Sequence, residues 1–222
     1  KLIWNGFLLV TMKVLNSCRR GKKFMQKGHT IKSVDPGSIA DELGLEPGDR
    51  LLSIDGHELE DIFDYEYYIE NESIMVVIAK KNGEEWELDI ENDYQDLGLT
   101  FENGLMSDYK SCHNKCVFCF IDQMPKGMRE TLYFKDDDSR LSFLQGNYVT
   151  LTNMKDKDIE RIIKFKLAPI NISVQTTNPE LRCKMLHNRF AGEALKKIDR
   201  LYEAGTPMNG QVVMCKNLND GD

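Results

Sequence analysis

The sequence lacks any apolar run approaching the ~20 residues needed to cross a bilayer. The stretch Ile3 to Val10 is short and is broken by Asn5 and Gly6, so no membrane span is expected. A secretory leader is not expected either. The basic cluster Arg19 to Lys23 follows that stretch instead of preceding it, with no small-residue cleavage site. There is no strongly basic block, and the 222 residues carry a formal net charge of −7. That balance argues against nucleic acid as a partner held by charge. Also missing is the dispersed cysteine pattern of small secreted disulfide scaffolds. Three of the six cysteines fall within eight positions instead. Such clustering suits a metal site in a reducing cytosol, and a cytoplasmic location is expected.

What is present points to packed structure. Hydrophobic residues make up 41% and charged residues 29%, a balance that favours a core over disorder. The length allows one large domain or two modest ones. Residues 1–24 carry little pattern and read as an extension upstream of a natural start at Met25, with a helix as the alternative.

Residues 25–95 read as a small, mostly β module. Thr30 to Val34 is a strand, Asp35-Pro36-Gly37 a turn, and Ser38 a cap for a short helix from Ile39 to Leu43. Asp55-Gly56 and Asn82-Gly83 are hairpin signals. The second of these joins Ile74–Lys80 to Trp86–Ile90. Asp61 to Glu70 places Ile62, Tyr65 and Ile69 on one helical side. The segment SVDPGSIADELGLEPGDRLLSIDGHEL, Ser33 to Leu59, resembles a bacterial PDZ domain. The resemblance implies a peptide partner added as a strand beside a helix, in a groove between Thr30–Val34 and Asp61–Glu70. The carboxylate-binding loop would lie near Gly28 to Ile31, where the usual glycine-aromatic pattern is absent. The alternative is a PDZ-like fold that binds no free peptide.

Residues 96–222 alternate strands and helices, which implies a parallel sheet with crossover helices. Strands are expected to begin at Leu105, Tyr148, Ile170 and Asn209. Helices are expected at Ser139–Leu144, after Asp156, after Asn178-Pro179, and over Ala194–Ala204. Along these strands Thr150, Thr152, Asn171, Ser173, Gln175 and Gln211 alternate with apolar neighbours. One polar face per strand suggests a barrel whose interior holds a polar ligand.

Cys112, Cys116 and Cys119 have the spacing Cys-x3-Cys-x2-Cys. Thiolates are the usual protein ligands of iron–sulfur clusters. A loop this short can wrap three corners of a cubane and leave one iron open. Val117, Phe118, Phe120 and Ile121 would keep water away. Zinc is the competing metal, with a fourth ligand from Cys183, Cys215, His113 or His187, but no second Cys-x2-Cys knuckle is present.

This loop resembles the radical SAM signature, including the aromatic before the last cysteine. DQMPKGMRETLYFKDDDSRLSFLQGNYVTLTNM and PINISVQTTNPELRCKMLHNRFAGEALKKIDRLYEAG extend the likeness. They resemble a bacterial family that joins a PDZ module to a radical SAM barrel and then to a C-terminal domain of unknown function. The fold class expected is α/β: a small PDZ-like domain followed by a partial, truncated βα barrel. The resemblance implies six βα units, so the chain reads as a fragment.

It also implies an Fe–S oxidoreductase-like enzyme with a 4Fe-4S cluster and S-adenosylmethionine as cofactors, a substrate not named by the sequence, and an electron donor for the cluster. Cys112, Cys116 and Cys119 are the expected metal ligands. Thr150, Thr152 and Asn153 stand where the family binds the methionine ammonium, without the common Gly-Gly-Glu-Pro. Phe118 would lie beside the adenine, and Ser173, Gln175 and Gln211 would touch ribose or carboxylate. No general acid, base or nucleophile is assigned. Two alternatives are a PDZ-based scaffold with structural zinc and an electron-transfer Fe–S protein. Asp136-Asp137-Asp138 reads as a solvated acidic turn before a helix, and Cys183 as a small buried apolar residue on a helix.

Overall fold

Asp55 and Gly56 both take positive φ, 49° and 75°, as a two-residue hairpin turn requires. They join β4 (Arg50–Ile54) to β5 (His57–Glu58). Asn82-Gly83 lies between β6 (Ile74–Ala79) and β7 (Glu85–Ile90), which pair in unbroken antiparallel register from Ile74↔Ile90 to Ala79↔Glu85. Alternate residues of these strands, Ile74, Val76, Ile78, Leu88 and Ile90, are buried, following the two-residue period of a pleated strand. Ser38 caps α1 (Ile39–Glu42), its hydroxyl accepting the Asp41 N–H at 3.3 Å. Asp61 and Asp64 form a reciprocal capping box at the start of α2 (Ile62–Ile69).

The fold is that of a computed structural model, which describes residues 2–5, 8–15 and 28–221. The chain is mixed α/β and divides into two compact units, 1–108 and 109–222. Cys18, Arg19 to Lys23 and Met25 lie outside the described residues. Among the described residues no helix is long and apolar enough to cross a membrane.

The first unit is built on a mainly antiparallel sheet. With β1 (Leu2–Asn5), β2 (Leu8–Leu15), β3 (His29–Val34) and β8 (Leu99–Phe101), its order is β1-β2-β7-β6-β4-β3-β8. Three expectations change here. Residues 2–5 and 8–15, expected to be a poorly patterned extension with a helix as the alternative, are two strands, and β2 pairs with β7 from Val10↔Ile90 to Leu15↔Glu85. The unpaired edge of β7 supplied the partner, and no local periodicity reveals that. Leu99–Phe101 is a strand of this first sheet. Leu105 begins no strand; it and Met106 are buried in a turn. Finally, β8 covers the outer edge of β3, with Ile31 opposite Phe101 and Val34 opposite Leu99. A peptide groove therefore does not lie against Thr30–Val34. The edge strand next to it is β8, which follows Asp96-Leu97-Gly98.

In the second unit, α3 (Ser139–Gln145) is capped by Asp138 and closed by left-handed Gly146. Next comes α4 (Asp156–Phe165), with Ile159 and Ile162 buried. The cap position is Lys155, whose N–H donates to Asp158 at 2.7 Å, so Asp156 is the first helical residue and not the cap. β9 (Ile170–Ser173) then pairs in parallel with β10 (Met208–Gln211) across α5 (Pro179–Leu186) and α6 (Leu195–Glu203). Val149 makes one parallel bridge to Ile172, in place of the strand expected at Tyr148–Thr152. The alternation holds where Val149, Leu151, Ile170 and Ile172 are buried. It fails at Val212 and Met214, which are exposed, as is Gln211. Among the described residues β10 pairs only with β9, so no further layer forces a buried face on that segment.

Candidate metal and cofactor site

The cysteine loop is irregular backbone held by its neighbours. The Lys115 N–H donates to Leu186 O at 3.0 Å and the Val117 N–H to Met185 O at 2.9 Å. These bonds tie the loop to the C-terminal end of α5, where helix carbonyls lack partners. The Cys112 N–H donates to Lys135 O at 2.7 Å, and Ser111 bridges Asp136. Cys116 and Phe118 pack against buried Met185, Leu186 and Ala191.

All three loop cysteines are free and half-buried. Burial pushes the Cys112 thiol up, with Asp137 adding to it and bonds from Asn114 opposing. Burial pushes Cys116 up to about 12, helped by the neighbouring Cys112 and Cys119 sulfurs and by Asp137. The opposition that Cys116 meets from its neighbouring sulfurs is what a shared cationic group would relieve, since metal ligands bind as thiolates. Among the described residues, no three His, Cys, Asp or Glu side chains converge closely enough to hold one metal ion. A single tetrahedral zinc would draw its sulfurs to within ~4 Å of one another at a Zn–S distance near 2.3 Å. His113 and His187 are exposed.

The threonines end beside this loop. Asn114, 2% exposed, donates from Nδ2 to Thr150 Oγ1 and Thr152 Oγ1, both at 3.0 Å, and to Cys112 Sγ at 3.5 Å. Thr150 in turn donates its backbone N–H to Asp137 Oδ1 and its hydroxyl to Asp137 Oδ2, each at 2.6 Å. Asn153 Nδ2 donates to Ser111 O at 2.7 Å. Thr150, Thr152 and Asn153 thus gather at the cysteine loop.

Ser173 and Gln175 form a second group. Gln175 is 1% exposed. Its Nε2 donates to Ser173 Oγ at 2.6 Å, and its Oε1 accepts the Val213 N–H at 2.7 Å. Gln211 is exposed, and its backbone carbonyl accepts the Val174 N–H at 2.9 Å.

The acidic triplet is not a solvated turn. Asp137 and Asp138 are buried at 2% and 0% exposure. Burial raises the Asp137 carboxyl above the usual range, against the Thr150 and Thr152 bonds. Burial would raise Asp138 too, but bonds from Arg140 and the Lys110 N–H hold it below the usual range. Arg140 reaches it with Nε at 2.9 Å and Nη2 at 2.6 Å. Only Asp136, half-buried and accepting from Asn147 at 2.9 Å, borders solvent. Charge alone could not separate the three.

Arg182 was also missed. It is fully buried, with Nε on Val174 O, Nη1 on Ala191 O, and Nη2 on both Thr150 O and Ser173 O, at 2.5 to 2.9 Å. It gathers four carbonyls from the segments around the threonines and Ser173. Its spacing with buried Met185 and Leu186, i, i+3 and i+4, is a signal that the sequence did contain. Cys183 accepts the Gly192 N–H at 3.3 Å and is half-buried. It lines a cleft of about 700 Å³ with Val174, Thr177, Leu195 and Ile198; none of the three loop cysteines lines it.

The second unit thus carries three free cysteines in one short loop beside a polar shelf of Asn114, Thr150 and Thr152. Residues 91–222, more than half of the chain, match the radical SAM-like domain family, and residues 30–80 match the PDZ domain family. The chain belongs to the radical SAM-like family. No curated protein matches it.

Proposed function

We propose that the protein is a radical SAM enzyme in which Cys112, Cys116 and Cys119 hold a 4Fe-4S cluster at three corners. When bound, such a cluster supplies the electron that cleaves S-adenosylmethionine to a 5′-deoxyadenosyl radical, which takes hydrogen from a substrate. The observation that carries the proposal is the convergence of Asn114, Thr150 and Thr152 on the cysteine loop. Hydroxyl and amide oxygens of Thr150, Thr152 and Asn153 suit a ligand ammonium. Phe118 keeps one side of the loop apolar. Ser173 and Gln211 offer polar groups farther along the strands, and Gln175 holds Ser173 from behind. Val149, β9 and β10 succeed one another in chain order with helices between, the order in which a βα barrel winds. A partial barrel is therefore the architecture we propose.

We also propose that the PDZ module takes a peptide, as an added strand on the outer edge of β8. The cluster requires an electron donor, and a cytoplasmic setting would keep the thiols reduced.

Oxygen-free purification tests the main reading. The expected result is a brown protein with about four irons per chain that forms 5′-deoxyadenosine only with reductant present. A colourless protein with stoichiometric zinc would overturn it, and a cluster that never cleaves the cofactor would leave an electron-transfer protein.

A further inference from the structure

Asn114 stands between two of the loop cysteines, yet its side chain spends every polar atom away from solvent. The orientation of its amide follows from its neighbours. Asn188 Nδ2 donates to Asn114 Oδ1 at 2.7 Å, so the NH2 end must face the threonines and Cys112. Thr150 uses its hydroxyl hydrogen on Asp137, which leaves the oxygen to accept from Asn114. A chain of donors thus runs one way, from Asn188 through Asn114 and Thr150 to a buried carboxylate. Bonds in such a chain polarise one another. Asn188 is itself fixed, its Oδ1 accepting the Phe190 N–H at 2.9 Å. Lys135 Nζ adds a longer contact, 3.5 Å to Asn114 O.

The same NH2 group lies 3.5 Å from Cys112 Sγ. An N–H directed at a ligating sulfur draws negative charge from it. That favours the more negative, reduced form of an attached cluster and raises its potential.

We infer that Asn114 is a positioning residue that couples the cysteine loop to the Thr150–Thr152 pair and raises the potential of the cluster on Cys112. The inference rests on the radical SAM reading above. It assigns a task to a loop position that is not itself a ligand. It also explains why a polar side chain is buried inside the loop when an apolar one would cost less to bury. The bond to sulfur and the bonds to the threonines share two hydrogens. A ligand that takes up the threonine oxygens therefore changes what remains for Cys112.

The test uses the full chain, reconstituted without oxygen, with Asn114→Leu and Asn188→Ala beside the unsubstituted protein. Asn114→Leu keeps the branched outline of the side chain, at greater volume, and removes the donor. At a fixed redox poise its reduced-to-oxidised cluster ratio is expected to fall about tenfold, equivalent to about 59 mV for one electron. Asn188→Ala, which frees the amide to turn, is expected to shift the ratio the same way by less. In the metal-free protein, amide exchange across residues 112–119 is expected to quicken about tenfold in Asn114→Leu, as local opening becomes easier. An iron-loaded Asn114→Leu with an unchanged ratio overturns the inference. So does unchanged exchange in its metal-free form. Should Asn114→Leu take up no iron, an unchanged ratio in Asn188→Ala overturns it. An unsubstituted chain that binds no iron overturns the cluster reading and this inference together.

Discussion

The two units bury different things. In the first, the interior is aliphatic: Ile31, Leu51, Ile54, Ile78 and Leu88 are at most 1% exposed. Its buried polar groups serve turns and caps. Asp49, for example, accepts the Glu46 N–H at 2.8 Å and the Lys80 ammonium at 2.6 Å. In the second, Asn114, Asp137, Asp138, Arg140, Gln175 and Arg182 are all nearly inaccessible. Burying such groups costs free energy that only a complete set of bonds offsets. The second unit thus holds a polar interior in which each of these groups depends on a specific partner. The first unit is a scaffold whose stability comes from apolar area.

Four substitutions test that contrast, from the largest expected effect to the smallest. Cys116→Ala should reduce iron content to background and lower cofactor cleavage by more than about 100-fold, beyond what loss of an outer-shell group does; iron assay and product chromatography check both. Retained iron with full turnover would refute the ligand assignment. Arg182→Met leaves four carbonyls without this donor and should destabilise the second unit by more than about 3 kcal/mol, since each unsatisfied buried acceptor costs about 1–3 kcal/mol. Hydrogen exchange should report the loss in residues 149–175 and not in β6 or β7. Equal loss in both units would remove the distinction drawn here.

Asp138→Asn should cost about 1–3 kcal/mol at neutral pH through its weakened bonds to Arg140. The native carboxyl is depressed, so its contribution is complete above the unfolded value near 3.9 and is lost as pH falls through the lower folded value. Denaturant titrations of the metal-free chain at pH 6 and below pH 4 should show a decline that the variant lacks. Finally, Ile78→Val removes one methylene from the aliphatic core. It should cost about 0.5–1.5 kcal/mol with iron content unchanged. A fall in iron loading would mean that the scaffold and the site are not separable.

Legibility in the sequence follows the same division. The Asp55-Gly56 and Asn82-Gly83 hairpins, the caps at Ser38 and Asn178, and α6 before Gly205 were readable because each depends on residues within a few positions of one another. The cysteine spacing was readable for the same reason. Asn114 and Asp137 were not, because neither differs in type from many exposed polar residues. Their roles arise from partners 36 and 13 positions away in the chain. β2 against β7 and β8 against β3 were hidden likewise, since strand partners are chosen by exposed edges.

From its own residues the chain determined where it turns, which segments are helical, and that three thiols must lie close together, all consequences of short-range backbone geometry and spacing. Only the tertiary structure decided that Asn114, Thr150 and Asp137 form one buried hydrogen-bonded chain beside those thiols, and that Arg182 fastens the strand ends around it. The reason is physical: a polar side chain acquires its function from what desolvates and satisfies it, and those groups are brought to it by folding.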